Sequence, residues 1–344
     1  MQKVRLKDVA ERAGVAVNTA STILNRRANS WASKETEERV FRAAADLGYR
    51  PNRAAQALRF GRFSSLALLI PDLNNPFHTA FADLFEEAAG RRGYDVVVET
   101  WRNQLDRERR LLDEMGNLQV EGVAAFLSHP GAHIESLTGK AAQGTPFVVI
   151  SSTGEAALPV DSVLADFERG LREAIETLLE LAHRRFALLC PLAEGQSPGG
   201  RPDSFRTMLA EKGAASAECD VVRCKHTIAA AYAAATGILA RPADRRPTAL
   251  IALSDLAAIG ALRAAAEREL LVPRDVSIVG ADGIPLASFL PVSLSTIAQP
   301  IGEMARCAIE LLADRIENAA ASTQTIHEVL PTTFIRRESV GPAP

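Results

Sequence analysis

Residues 4–25 (VRLKDVAERAGVAVNTASTILN) carry two short runs of apolar positions at helical spacing on either side of a single glycine. Few folds satisfy that pattern other than two short helices joined by a tight turn. In the first run Leu6, Val9, Ala10 and Ala13 share one face, and the small Ala10 lets a second helix approach closely. Gly14 supplies the turn, because a residue without Cβ enters left-handed geometry at little cost. The second run is expected to hide Val15, Ala20, Ile23 and Leu24 and to turn Val17, Asn18, Thr19, Ser21 and Thr22 outward. That outward face is short and polar, as reading the major groove of duplex DNA requires. Taken alone, the same residues also fit an ordinary helical hairpin.

A third helix follows. Ser33 is placed to cap it, Glu35, Glu37 and Glu38 lie near its positive end, and Gly48 stops it. Val40, Phe41, Ala44 and Leu47 are expected to face inward. Next, Tyr49 to Arg59 form an Ala-rich segment opened by Pro51 that is hardly long enough to be a stable helix by itself. Over residues 1–62 there are thirteen basic and six acidic side chains, a balance of about +7; the net charge of −3 leaves about −10 for the rest. A basic head on an acidic body is the footprint of a duplex-binding module joined to something that avoids DNA.

The remaining 282 residues suit a two-lobed α/β body. Apolar runs at 66–70, 95–99, 122–126 and 147–150 read as buried parallel strands, with helices at 81–92 and 107–118 between them. A second series at 185–189, 249–252 and 276–280 has a helix at 257–268. Two such sheets joined by crossovers leave a cleft at their carboxyl ends. There is no 18-residue apolar run and no secretory signal, so a soluble cytoplasmic protein with no membrane partner is expected. Cys190, Cys219, Cys224 and Cys307 are scattered, and the spacing of Cys219, Cys224 and His226 is not that of a zinc module. No metal is expected. Gly131 to Lys140 only superficially suggests a phosphate loop: seven residues separate the two glycines and no Ser or Thr follows the lysine. Nucleophile elbows, zinc-protease motifs and dinucleotide glycine trios are missing too, so neither catalysis nor a cofactor is expected.

From the helix pair through Tyr49-Arg-Pro-Asn-Arg-Ala-Ala-Gln-Ala-Leu58 to the cleft loops, the chain resembles the lactose-repressor family of bacterial transcription regulators over essentially its whole length. The resemblance implies an all-α helix-turn-helix DNA-binding domain at 1–48, a hinge at 49–62, and a periplasmic-binding-protein-like α/β core at 63–344. The core would comprise two Rossmann-like parallel-sheet subdomains, one about 63–164 with 298–326, the other about 165–297 with 327–344. Val17, Asn18 and Thr22 would select bases, with Thr19, Ser21, Asn25, Tyr49, Asn52, Arg53 and Ala55 as further DNA contacts. Leu58 would wedge the central minor-groove step of a pseudopalindromic operator bound by a homodimer. Arg is common in the family at the position of Thr22, and its loss removes a guanine reader. No leucine heptads follow Arg337, so a tetramerising coiled coil is not expected.

The same resemblance places effector contacts at the cleft. Asn75, Phe77 and His78 belong to an Asn-Pro-Phe-aromatic loop in which His78 replaces the usual ring; it is open to stacking, hydrogen bonding or carrying charge. Arg201 would clamp a carboxylate or paired hydroxyls, although Ser204 replaces the usual glycine nearby. Asp166, Asp255 and Asp282 match family acids, and Asp255 and Asp282 fit helix capping as well. Trp101 would offer aromatic surface or simply fill the core. One Arg, several acids and a few aromatics describe a pocket for a small polyhydroxylated molecule, a sugar, a sugar acid or a sugar derivative. A transport-type binding protein or an enzyme with the same cleft is the alternative, disfavoured by the basic head and the missing motifs.

Overall fold

The computed structural model describes residues 4–24, 32–49, 63–114, 119–127, 130–152, 158–192, 201–212, 214, 218–318 and 324–344. The chain forms two units, residues 1–63 and 64–344.

In the first unit α1 (Leu6–Ala13), α2 (Val17–Leu24) and α3 (Lys34–Asp46) close a small core of Val9, Ala10, Ala20, Ile23, Val40, Ala43 and Ala44. Gly14 ends α1 at φ 67°, and the Val15 amide returns to the Ala10 carbonyl at 3.0 Å. The Ser33 hydroxyl accepts from the Thr36 amide, as the cap reading expects. Two expectations fail here. Ser21 is buried rather than outward, since it lies beside Ala20 at the edge of the face that meets α1 and α3. Phe41 is 40% exposed, and Ala43 takes the inward place: spacing of 3 and 4 from Val40 selects Ala43, Ala44 and Leu47, leaving residue 41 about a quarter-turn away.

The second unit holds two six-stranded sheets. The first contains β1 (Ser65–Ile70), β2 (Asp95–Thr100), β3 (Gly122–Phe126), β4 (Phe147–Ser151), β5 (Asp161–Asp166) and β11 (His327–Pro331), in the spatial order β2-β1-β3-β4-β5-β11. All its pairings are parallel. The second is β7-β6-β8-β9-β10-β12, built from β6 (Arg185–Leu192), β7 (Glu218–Lys225), β8 (Ala249–Ala252), β9 (Ser277–Asp282), β10 (Ser295–Ala298) and β12 (Thr333–Ile335), with only β12 antiparallel. The central strands are apolar on both faces because helices cover both. On the first sheet these are α4 (Pro76–Arg91), α5 (Leu105–Glu114), α6 (Ile134–Ala142) and α11 (Ile301–Glu317). The second has α7 (Phe167–Glu180), α8 (Arg201–Glu211), α9 (Ile228–Leu239) and α10 (Asp255–Glu267).

The chain passes between lobes three times: from β5 into α7, from β10 into α11, and from β11 into β12. The last passage falls after Pro331, not after residue 326. β11 adds to the first sheet beside β5, with His327 level with Ser162 and Pro331 with Asp166. At the crossing the buried Thr332 hydroxyl donates to the Asp166 carbonyl at 2.7 Å and accepts from the Gly170 amide at 3.1 Å. A Cβ on Gly170 would stand 2.6 Å from both Thr332 Oγ1 and Ile297 Cγ2, so the close approach of the passages needs glycine there. None of the described helices is long and apolar enough to cross a membrane.

Candidate functional site

Each sheet reverses its winding between its first two central strands, β1 and β3 in one lobe and β6 and β8 in the other. The loops at the carboxyl ends of these strands therefore splay apart and face a common cleft. It contains an inner chamber of about 150 Å³. Asn75, Phe77, His78 and Trp101 line it from the first lobe, and Arg201 and Asp282 from the second. Six of the eight expected effector contacts thus converge.

Asn75 caps α4, its Oδ1 accepting from the Phe77 amide at 3.0 Å, while its side chain acts across the cleft to hold down the pKa of Asp282 in the other lobe. His78 lies in the first turn of α4, buried, with Phe77 and Phe126 centroids at 5.6 and 5.7 Å. Its Nδ1 is 3.9 Å from Asp72 Oδ2 and has no hydrogen-bond partner among the described residues. Burial drives the imidazole pKa down to about 4, against the pull of the Asp72 carboxylate. His78 thus packs edge-on against Phe77 and tilted against Phe126 as an uncharged ring with Nδ1 to spare. Trp101 answers to both of its readings: it lines the chamber, and it is a core residue donating Nε1 to the Phe126 carbonyl at 3.2 Å.

Arg201 opens α8 and reaches across the cleft to Ser152 of the first lobe, 2.7 Å from its Oγ. The guanidinium also lies over Phe167 at 5.1 Å. Phe167 is therefore the residue that shelves the clamp. Ser204 leaves the helix intact, its hydroxyl donating to Glu168. Asp282 ends β9 at φ 112°, a region costly for any residue with a side chain. Burial raises its pKa well above the ordinary value, and the charge of Asp255 raises it further. Gln299 donates to Asp282 Oδ1 at 3.0 Å.

Asp166 and Asp255 do not line the chamber. Asp166 caps α7, accepting from the Arg169 amide at 3.2 Å. Asp255 is wholly buried but does not cap α10, because Ser254 does. Its carboxylate instead ties three segments together, accepting from the Gly283 and Ile284 amides at 2.9 and 2.8 Å and from Thr296 Oγ1 at 2.6 Å. Burial lifts its pKa to about 6 although these bonds resist it. Sequence reasoning missed Asn103, Ser152, His226 and Gln299 as chamber residues. His226, weighed earlier with Cys219 and Cys224 for a metal, faces the cleft, while Cys224 packs on the core. Its pKa is lowered by burial.

In the first unit Val17 is 43% exposed, Asn18 is exposed, and Thr19 and Thr22 are half-buried. The Thr22 hydroxyl donates to the Asn18 carbonyl at 2.9 Å, which occupies its proton within the helix. Tyr49 packs against the three-helix core. Asn25, Asn52, Arg53, Ala55 and Leu58 lie outside the described residues.

Residues 5–52 match the family model described as bacterial regulatory proteins, lacI family, and residues 175–340 match a periplasmic binding protein-like domain. The ribose operon repressor of Halalkalibacterium halodurans is 32% identical over 343 residues, covering 97% of this chain and 96% of that protein. The chain belongs to the lacI family of bacterial regulatory proteins. Another lacI-type relative, the HTH-type transcriptional repressor PurR of Erwinia tasmaniensis, is 31% identical over 340 residues, covering 98% of this chain and 97% of the relative. Among solved structures, a lac repressor dimer bound to operator and an anti-inducer has the same fold (TM-score 0.82, 24% identity, 98% of this chain and 99% of that one). A transcriptional regulator CelR–cellobiose complex gives 0.68 at 28% identity, covering 98% and 100%. Membership in the lacI family makes this a regulator, not an enzyme.

Proposed function

We infer that this lacI-family chain is a transcriptional repressor of the cytoplasm that binds a pseudopalindromic operator as a homodimer and is controlled by a small polyhydroxylated ligand in the cleft. The observation that carries the reading is the convergence of Asn75, His78 and Trp101 with Arg201 and Asp282 from opposite lobes on one chamber. A ligand there touches both lobes at once, so its affinity depends on how they are arranged. It competes for the cross-lobe contact of Arg201 with Ser152. Operator affinity changes by the ligand's differential affinity for the two arrangements and no more.

Polar groups and aromatic faces both suit a sugar-like molecule: Phe77, Trp101 and Phe126 cover ring faces, and Arg201, Asn103 and Gln299 meet hydroxyl or carboxylate oxygens. Sugar or ligand complexes among structural relatives, such as CelR with cellobiose, agree with this class. On the DNA side, Asn18 offers two bonds to adenine and Val17 an apolar contact to a thymine methyl. A gel-shift titration with DNA upstream of the chain's own gene tests the whole. Retarded DNA released by a sugar or sugar acid supports the reading, and no shift of any upstream fragment at low salt contradicts it.

A further inference from the structure

The inner chamber does not end at the cleft mouth. Asn103, Leu192 and His226 also line a second, outer space of about 670 Å³, several times larger. Its walls are apolar: Leu73 and Ile228 are 59% and 43% exposed, and Leu192 and Leu256 lie beneath. Its rim is basic, with Arg102 from the first lobe and Lys225 from the second, both exposed. Neither cation has an ion-pair partner among the described residues.

The acid in this space, Asp72, is spoken for. Its Oδ1 accepts from the Asn74 and Asn75 amides at 2.7 and 2.9 Å, and its Oδ2 accepts from Asn103 Nδ2 at 2.6 Å. The loop that carries Arg102 is built with unusual backbone. Arg102 and Asn103 are consecutive left-handed residues at φ 54° and 55°, a costly conformation that persists where surrounding contacts enforce it and that recurs at ligand sites. On the opposite wall Thr227 caps the twelve-residue α9, so the positive end of that helix also borders the space beside Lys225.

We propose that the cleft takes a two-unit acidic ligand, with a polyhydroxylated ring in the inner chamber joined to a second ring in the outer space whose carboxylate or phosphate lies between Arg102 and Lys225. The proposal rests on the cleft being the effector site. One anion held by cations from opposite lobes draws the mouth together, so the outer unit contributes to switching as well as to affinity.

The test is calorimetry on the full chain with galacturonate and cellobiose as references, digalacturonate and cellobiouronate as carboxylate probes, and trehalose 6-phosphate and sucrose 6-phosphate as phosphate probes. At least one acidic two-unit probe should bind tenfold or more tightly than both references. Arg102→Ala combined with Lys225→Ala should remove that advantage while changing galacturonate affinity less than threefold. Which pair of probes binds decides between carboxylate and phosphate. The proposal is overturned if cellobiose or galacturonate binds as tightly as every acidic two-unit probe, if no probe binds, or if the double variant keeps the advantage. Operator retardation measured on the same preparation separates the outcomes: with the shift intact only the ligand class falls, and with the shift lost the regulator reading falls too.

Discussion

Asp255→Ala separates a brace from a ligand contact. In the structure the carboxylate accepts three hydrogen bonds, from the Gly283 and Ile284 amides and Thr296 Oγ1. Alanine leaves the buried Ile284 amide and Thr296 hydroxyl without that acceptor, at about 1–3 kcal/mol each. The raised pKa of about 6 is the balance left after these bonds oppose burial, so it governs how the loss varies with pH. The Gly283 amide keeps Thr296 Oγ1 as an acceptor at 3.2 Å, so the loss expected at pH 7 is about 3 kcal/mol. That is a large part of a typical domain's stability. The pH dependence has a definite sign. The folded carboxyl binds its proton more tightly than the unfolded one, so the group's contribution is full below about 3.8 and falls as pH rises through about 6. The destabilisation should therefore be about 1 kcal/mol larger at pH 5 than at pH 7. Urea unfolding followed by circular dichroism at both pH values measures this. A loss below about 1 kcal/mol together with a tenfold or greater fall in ligand affinity would refute the reasoning and return Asp255 to the binding site.

Arg201→Lys should lower the affinity for a sugar acid by about 10- to 100-fold in calorimetry, since the ammonium cannot keep both the place over the Phe167 ring and the reach to Ser152. His78 binds a proton less tightly folded than unfolded, so wild-type stability should fall as pH drops from 6.5 toward 4, by up to about 1.4 kcal/mol per pH unit. His78→Phe should flatten that slope in thermal melts, and an unchanged slope would remove His78 as its source. Thr22→Arg should raise preference for guanine at one operator position by about 1–3 kcal/mol, read by selection from random duplexes. Identical half-sites for the two proteins would count against Thr22 as a base-selecting position.

The architecture was legible because alternation of buried runs and helical stretches is a strong signal, and because loops after parallel strands must face a cleft. Strand and helix bounds moved by a few residues, as with α4, which starts at Pro76 rather than residue 81. β11 escaped notice because only Leu330 of its five residues is buried, so it has no apolar run. Its pairing comes from β5 offering a free edge. Asp166, Asp255 and Asp282 look alike in sequence, each an acid at the junction of a strand and a helix or turn. Their fates diverge through distant partners: Asp166 meets the amides of its own helix, Asp255 meets Gly283, Ile284 and Thr296, and only Asp282 reaches the chamber. His226 and Gln299 follow strands whose carboxyl ends converge only once both lobes are folded, and no local pattern marks them.

The central claim is that cleft and operator share one free energy. Its most direct test is to measure the affinity of the tightest-binding sugar or sugar acid by calorimetry, with and without saturating operator, and operator affinity with and without that compound. Reciprocity requires the two factors to be equal, and the account predicts a common factor of at least about fivefold. Ligand affinity that is the same with and without operator would contradict it.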